Sequence, residues 1–117
     1  MGLSNKEILI IANAAVTEGD HERFLSYCTD DVVWEFVGDR TLQGKLAVRE
    51  YMAVTYLEPP KFMVEDLIAE DDSVAAIGTI RLRAEDGKMS DYSYCDVWRF
   101  HDGKMAALRA FVIAKDN

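Results

Sequence analysis

The sequence predicts an α+β fold in which one curved sheet is folded over a few helices. Three observations carry that expectation. Apolar residues recur at helical spacing only before Pro59-Pro60, and beyond it they follow strand-like patterns rich in β-branched and aromatic residues. The pairs Asp71-Asp72, Asp86-Gly87 and Asp102-Gly103 then divide that second half into strand-length runs, and Asp-Gly is a strong hairpin signal.

Taken in order, Ser4-Asn5-Lys6-Glu7 is a capping box, in which hydroxyl and carboxylate each satisfy a backbone N–H that has no helical partner. Ile8, Ile11, Ala12, Ala15 and Val16 continue at helical spacing as far as Gly19, which suits the left-handed position after a helix. Asp20 can cap a second, short helix carrying Phe24, Leu25, Tyr27 and Cys28, ended by Asp30-Asp31. The run Val32 to Val37 reads as a strand with Val32, Trp34 and Phe36 on one face and Glu35 on the other, broken by Gly38-Asp39. From Gly44 a third helix places Leu46, Ala47, Val48, Tyr51, Met52 and Tyr56 on its apolar side until the prolines force an extended exit. Lys61 to Glu70, Ser73 to Ala84, Met89 to Phe100 and Lys104 to Lys115 follow as a four-strand antiparallel meander.

Composition narrows the function. The 13 basic residues against 21 acidic ones leave a net charge of −8, which argues against nucleic acid and anionic membrane surfaces as partners. No stretch approaches the roughly 18 apolar residues of a membrane span, and no basic run leads into an apolar core at the N-terminus, so a cytoplasmic protein is expected. The 117 residues, half of them apolar, suit a single domain over residues 1–117. Cys28 and Cys95 are far apart, and with His21 and His101 they show no metal-ligand spacing; both histidines are expected at the surface. Neither a Gly-rich phosphate loop nor a nucleophile elbow is present, so no metal and no cofactor is expected.

The chemistry concentrates in Tyr92 to Phe100. Alternation puts Tyr92, Tyr94, Asp96, Trp98 and Phe100 on one face, aromatic except for a single carboxylate. A lone acid among rings has its charged form disfavoured, which makes Asp96 a candidate proton donor or acceptor. The alternative is an Asp96 that is ion-paired or hydrogen-bonded to a tyrosine and does no chemistry. If Phe100 pairs with Lys104 across His101-Asp102-Gly103, then Leu108, Ala110 and Val112 share the Asp96 face. A three-residue loop Glu85-Asp86-Gly87 adds Val74, Ala76, Ile80 and Leu82; a two-residue loop would bring Ile77, Thr79 and Arg81 instead. The first is preferred because it joins apolar residues to the aromatic face and leaves Arg81 opposite Asp91 outside.

Several segments together resemble a known superfamily: Glu18-Gly19-Asp20, Asp30-Asp31-Val32-Val33-Trp34, Gly44-Lys45 before a helix, and Asp96-Val97-Trp98-Arg99-Phe100-His101-Asp102-Gly103-Lys104-Met105. Over nearly its whole length the chain is similar to the nuclear transport factor 2-like superfamily, above all to its SnoaL-like branch of polyketide cyclases and to ketosteroid isomerase. The resemblance implies a cone-shaped α+β fold, a curved mixed or antiparallel sheet wrapped around N-terminal helices, with a deep apolar pocket and a homodimer through the outer sheet face. The isomerase's oxyanion-hole aspartic acid falls on Asp96, whereas its general base falls on Phe36 and its oxyanion tyrosine near Ala12, which disfavours a steroid isomerase of that mechanism. An Asp-Arg-Asp arrangement as in related epoxide hydrolases lacks its last acid at Ala110, although Arg81 and Arg83 are available.

The expected function is therefore a cofactor-independent enzyme of isomerase, cyclase or dehydratase type acting on a small apolar carbonyl compound. Asp96 would be its acid/base and Tyr92 or Tyr94 the hydrogen-bond partner. Trp34, Phe36, Val48, Met52, Tyr56, Trp98, Leu108, Ala110 and Val112 are the expected ligand-binding residues. The alternative is a non-catalytic ligand-binding or dimeric domain of the same fold. Val97, Phe111 and Ile113, on the face opposite Asp96, form the apolar patch expected to be covered in a homodimer.

Overall fold

The computed structural model describes residues 3–56, 60–83 and 86–115. Helix α1 (Asn5–Thr17) starts at the expected capping box: the Ser4 hydroxyl accepts from the Glu7 N–H at 3.2 Å and the Glu7 carboxylate accepts from the Ser4 N–H at 3.0 Å. These bonds hold the Glu7 carboxyl below its usual range. The buried side of α1 is Ile8, Leu9, Ala12, Ala15 and Val16. Helix α2 (His21–Leu25) is capped by Asp20, which accepts from the Arg23 N–H, and it buries Phe24 and Leu25.

The second helix is shorter than its sequence suggests. Cys28 opens strand β1 (Cys28–Phe36), and Asp30 and Asp31 are exposed strand residues rather than a helix stop. The reason is long-range pairing: β1 lies along the last strand, with Cys28 and Val32 fully buried, and that burial outweighs local preference. Strand β2 (Arg40–Gln43) was not anticipated. It pairs antiparallel with β1 from Val33↔Gln43 to Phe36↔Arg40, and among its residues only Leu42 is half-buried, so no alternation betrays it.

Helix α3 (Lys45–Thr55) buries Val48 and Met52, while Leu46, expected on its apolar side, is 62 % exposed. Two bonds from Arg49 to the Glu22 carboxylate, at 2.8 and 3.0 Å, tie α3 to α2. The strands β3 (Lys61–Glu70), β4 (Ser73–Arg83), β5 (Met89–His101) and β6 (Lys104–Ala114) form the antiparallel meander. The whole sheet runs β2-β1-β6-β5-β4-β3, and its parallel pair, β1 with β6, makes it mixed.

Register follows the preferred alternative on one side and a different turn on the other. β4 and β5 pair as Val74↔Trp98, Ala76↔Asp96 and Arg81↔Asp91, the last closed outside by a 3.1 Å ion pair. Ala84 and Glu85, at the expected loop, lie outside the described residues. Between β5 and β6 the loop has two residues rather than three. His101 pairs with Lys104, and Asp102 and Gly103 both take positive φ, the backbone that an Asp-Gly hairpin prefers. An irregularity between Arg99 and Phe100 then absorbs one extra residue of β6, so Leu108, Ala110 and Val112 still share the face of Asp96. Another irregularity, at Val64/Asp66 of β3, sits where Gly78 lets the Met63 carbonyl approach; a Cβ at Gly78 would overlap that oxygen.

The interior packs Phe24 edge-on against Trp34 and Trp98, at ring separations of 5.8 and 6.3 Å, with α1 closing the same end of the sheet. The result is the expected cone-like α+β architecture, helices held within a curved open sheet. Among the described residues no helix is long and apolar enough to cross a membrane.

Candidate functional site

Beside this ring cluster the sheet and helices leave a cavity of about 320 Å³, within the size range of small-molecule sites. Its walls are aromatic. Trp34 makes edge-to-face contacts with Phe36, Tyr51 and Trp98 at 6.1, 6.2 and 6.0 Å, and Tyr51 meets Tyr56 at 5.9 Å. β1 supplies Trp34 and Phe36 to this wall, β5 supplies Trp98, and successive turns at the end of α3 supply the two tyrosines.

Asp96 projects from β5 into the same space. Its cross-strand neighbours are Ala76 on β4 and Ala110 on β6, neither of which can pair with a carboxylate. Among the described residues Asp96 has no hydrogen-bonding or ion-pairing partner, and burial alone pushes its carboxyl up to about 7. The adjacent phenols stay neutral: Tyr94 is pushed up to about 12 by burial and then by the Asp96 charge, and Tyr56 is raised further for the same causes, Tyr51 adding to the second. Burial also raises the Tyr51 phenol, partly offset by its hydrogen bond with Thr55. The site thus combines one acid that titrates near neutrality with phenols that act as hydrogen-bond donors.

The structure brings most of the expected residues together. Trp34, Phe36, Tyr56, Tyr94, Asp96, Trp98, Leu108 and Ala110 line the cavity, with Val112, 42 % exposed, at its edge. Three others are elsewhere. Val48 and Met52 are fully buried in the core, because the side of α3 that carries them faces inward while Tyr51 and Tyr56 face the cavity. Tyr92 shares the parity of Asp96 and sits between Ile80 and Ala114, but it does not itself line the cavity, although its neighbour Ile80 and, further out, Leu82 do.

Asn13 from α1, Asp39 from the β1–β2 turn, Pro60, and Phe62 from β3 also line the cavity without having been anticipated. Alternation in β3 could have pointed to Phe62; nothing local marks Asn13 or Asp39, which arrive through tertiary packing. His21, expected at the surface, is half-buried with its ring 6.4 Å from that of Tyr56, and its Nε2 and the Trp34 Nε1 are buried without a partner among the described residues. Arg81 lies on the outer face against Asp91, so it does not enter the cavity. Among the described residues no group of three or more His, Cys, Asp or Glu side chains is placed to hold a metal ion.

Solved structures share this architecture. SalBIII, an epoxide hydrolase/cyclase-like enzyme of pyran ring formation in the polyether salinomycin, superposes with a TM-score of 0.84 at 24 % identity, covering 92 % of this chain and 89 % of that one. An NTF2-like protein of unknown function from Burkholderia pseudomallei K96243 matches with a TM-score of 0.80 at 19 % identity, over 92 % and 90 % of the two chains. TerC, co-crystallized with polyporic acid, matches with a TM-score of 0.78 at 21 % identity, over 92 % and 89 %. No curated protein matches the sequence. The profile of the SnoaL-like domain matches residues 12–108, which include β1, α3 and the Asp96 strand, and the chain therefore belongs to the SnoaL-like family of the nuclear transport factor 2-like superfamily.

Proposed function

We propose that the protein is a cofactor-independent enzyme of isomerase, cyclase or dehydratase type that moves a proton on a small apolar carbonyl compound, with Asp96 as acid/base. The supporting observation is the unpartnered Asp96 carboxyl, raised to about 7 inside an aromatic cavity. A carboxyl at that value is present in both protonation states near neutrality, so it can take a proton from the carbon next to a carbonyl and return it elsewhere. Tyr94 or Tyr56 would hydrogen-bond the carbonyl oxygen as charge develops on it, since both phenols hold their protons. Tyr92 does not line the cavity and is left out of that role. The aromatic walls exclude water and hold the apolar remainder of the substrate.

Likeness in fold to a cyclase-like enzyme and to a protein co-crystallized with polyporic acid supports a small-molecule ligand. It does not extend to an Asp-Arg-Asp water site, because Arg81 is outside and Ala110 stands opposite Asp96. Carboxyl-carbon NMR tests the proposal first: Asp96 should titrate near 7, and a midpoint near the ordinary value of about 3.9 would overturn it. Incubating small cyclic ketones with the protein in heavy water should give deuterium exchange next to the carbonyl, lost in Asp96→Asn. Saturable binding without exchange supports the second reading, a ligand-binding domain without turnover.

The same proposal takes residues 1–117 as one domain and places it in the cytoplasm, where the free thiols Cys28 and Cys95 stay reduced. It also includes a homodimer through the outer sheet face, where Ile113 is 67 % exposed beside Phe111 and Val97. Sedimentation should give twice the 13.2 kDa chain mass; a monomer at micromolar concentration rejects this interface.

A further inference from the structure

The walls of the cavity carry a second message, about the charge of what can enter. Four ring pairs, Trp34–Phe36, Trp34–Tyr51, Trp34–Trp98 and Tyr51–Tyr56, cross at interplanar angles of 79°, 71°, 81° and 78°. In such edge-to-face pairs one ring's edge covers part of its partner's face, so the walls combine edges and faces, and a face left toward the cavity presents the negative side of its quadrupole. No Lys, Arg or His lines the cavity among the described residues, whereas Asp96 stands at its wall and Asp39 also lines it.

We propose that the cavity also accepts a protonated or quaternary amine carried on a small apolar framework, its ammonium held between these aromatic faces and the Asp96 carboxylate. The proposal goes beyond the acid/base reading and does not need turnover. A half-buried carboxylate without a counter-ion among the described residues is a poorly solvated charge, and a ligand that brings a cation improves its surroundings. The titratable and charged groups around Asp96 are neutral or acidic apart from two cationic or ionisable side chains that do not line the cavity, Arg40, ion-paired with Asp39 at 3.7 Å, and His21 of α2, whose ring lies 6.4 Å from that of Tyr56. α3 contributes the neutral phenols of Tyr51 and Tyr56, β5 that of Tyr94, the β1–β2 turn the carboxylate of Asp39, and β3 the charge of Glu65 sensed by Tyr94. β4 and β6 contribute only apolar side chains to the wall. Binding of a cation therefore requires ionised Asp96, should strengthen as pH rises through about 7, and should release a proton below that value. A carboxylate-bearing ligand meets the opposite situation and is excluded.

Phenyltrimethylammonium and its neutral isostere tert-butylbenzene are the decisive probes, with benzoate as the anion. Both tryptophans of the chain, Trp34 and Trp98, line the cavity, so intrinsic fluorescence reports occupancy alongside calorimetry. Near pH 8 the cation should bind at least about ten-fold more tightly than the isostere, with benzoate not binding. That advantage should shrink by about ten-fold towards pH 5.5 as Asp96 takes up its proton. Asp96→Asn should remove the pH dependence. Equal affinity of cation and isostere near pH 8, or an advantage that ignores both pH and Asp96→Asn, overturns the proposal. Should the variant melt abnormally, the pH series on the unaltered protein decides alone. Cation selectivity without deuterium exchange rejects only the enzymatic reading, and exchange without cation selectivity rejects only this one.

Discussion

Along β5 the interior side chains run Tyr94, Asp96, Trp98 and Phe100, and the two ends of that row meet different surroundings. Beyond Trp98, whose ring lines the cavity, Phe100 and its β6 neighbour Met105 are buried in the core with Leu9 and Leu25, and none of these four lines the cavity. At the Tyr94–Asp96 end the cross-strand neighbours are Gly78, Ala76 and Ala110, and the space they leave is the cavity. The same strand, with the same alternation, thus serves a close-packed core and a hollow. What differs is the volume of the residues opposite. A protein interior normally fills to crystal-like density, so a hollow lined by rings and one acid marks where a ligand would substitute for missing side chains.

The contrast can be broken at either end. Leu9→Ala should have the largest effect, a loss of ~2–5 kcal/mol in denaturant unfolding, because the side chain has no accessible surface and lines no part of the cavity. A loss well under this would mean that the closed end is no better packed than the open one. Ala15→Leu adds volume where α1 has none to spare and should cost ~1–3 kcal/mol by overpacking.

Asp96→Asn separates the ends by charge. The folded carboxyl is raised from 3.8 to about 7, so protonated Asp96 favours the fold fully below the unfolded value, and that contribution is lost as pH rises through the folded one. An amide never ionises. The variant should therefore match the parent near pH 4 and melt higher near pH 8, by an amount on the order of 1–2 kcal/mol after screening through the cavity. A variant less stable at both values would show that Asp96 holds the fold together. Ala110→Val should change stability least, within about 1 kcal/mol and in either direction, since the added methyl groups enter empty space. It should nevertheless weaken phenyltrimethylammonium binding, and unchanged binding would place the ligand elsewhere.

Much of this was legible in the residues. The capping box at Ser4, the strand at Val32 to Phe36 and the grouping of Trp34, Asp96 and Ala110 on one interior all follow from local chemistry and alternation. Misplacements share a cause. Cys28 joined a strand because β6 lies beside it, β2 formed because β1 offered an edge, and Val48 and Met52 went to the core because the rotation of α3 depends on what it packs against. Tyr92 has the right parity yet does not line the cavity, and parity says nothing about which side chains of a face do.

Which residues share a face was determined by the sequence itself, since a two-residue repeat is a property of the extended chain and survives even the shifted turn at Asp102-Gly103. That Asp96 has no partner among the described residues was decided only by the tertiary structure. The neighbours that count are Ala76 and Ala110 across the sheet, Tyr56 from a helix and Asp39 from a turn, distant in sequence and assembled only when strand order and helix docking are set. Desolvation depends on every atom around the carboxyl, whatever its place in the chain, so the raised Asp96 titration belongs to the fold and not to the strand that carries it.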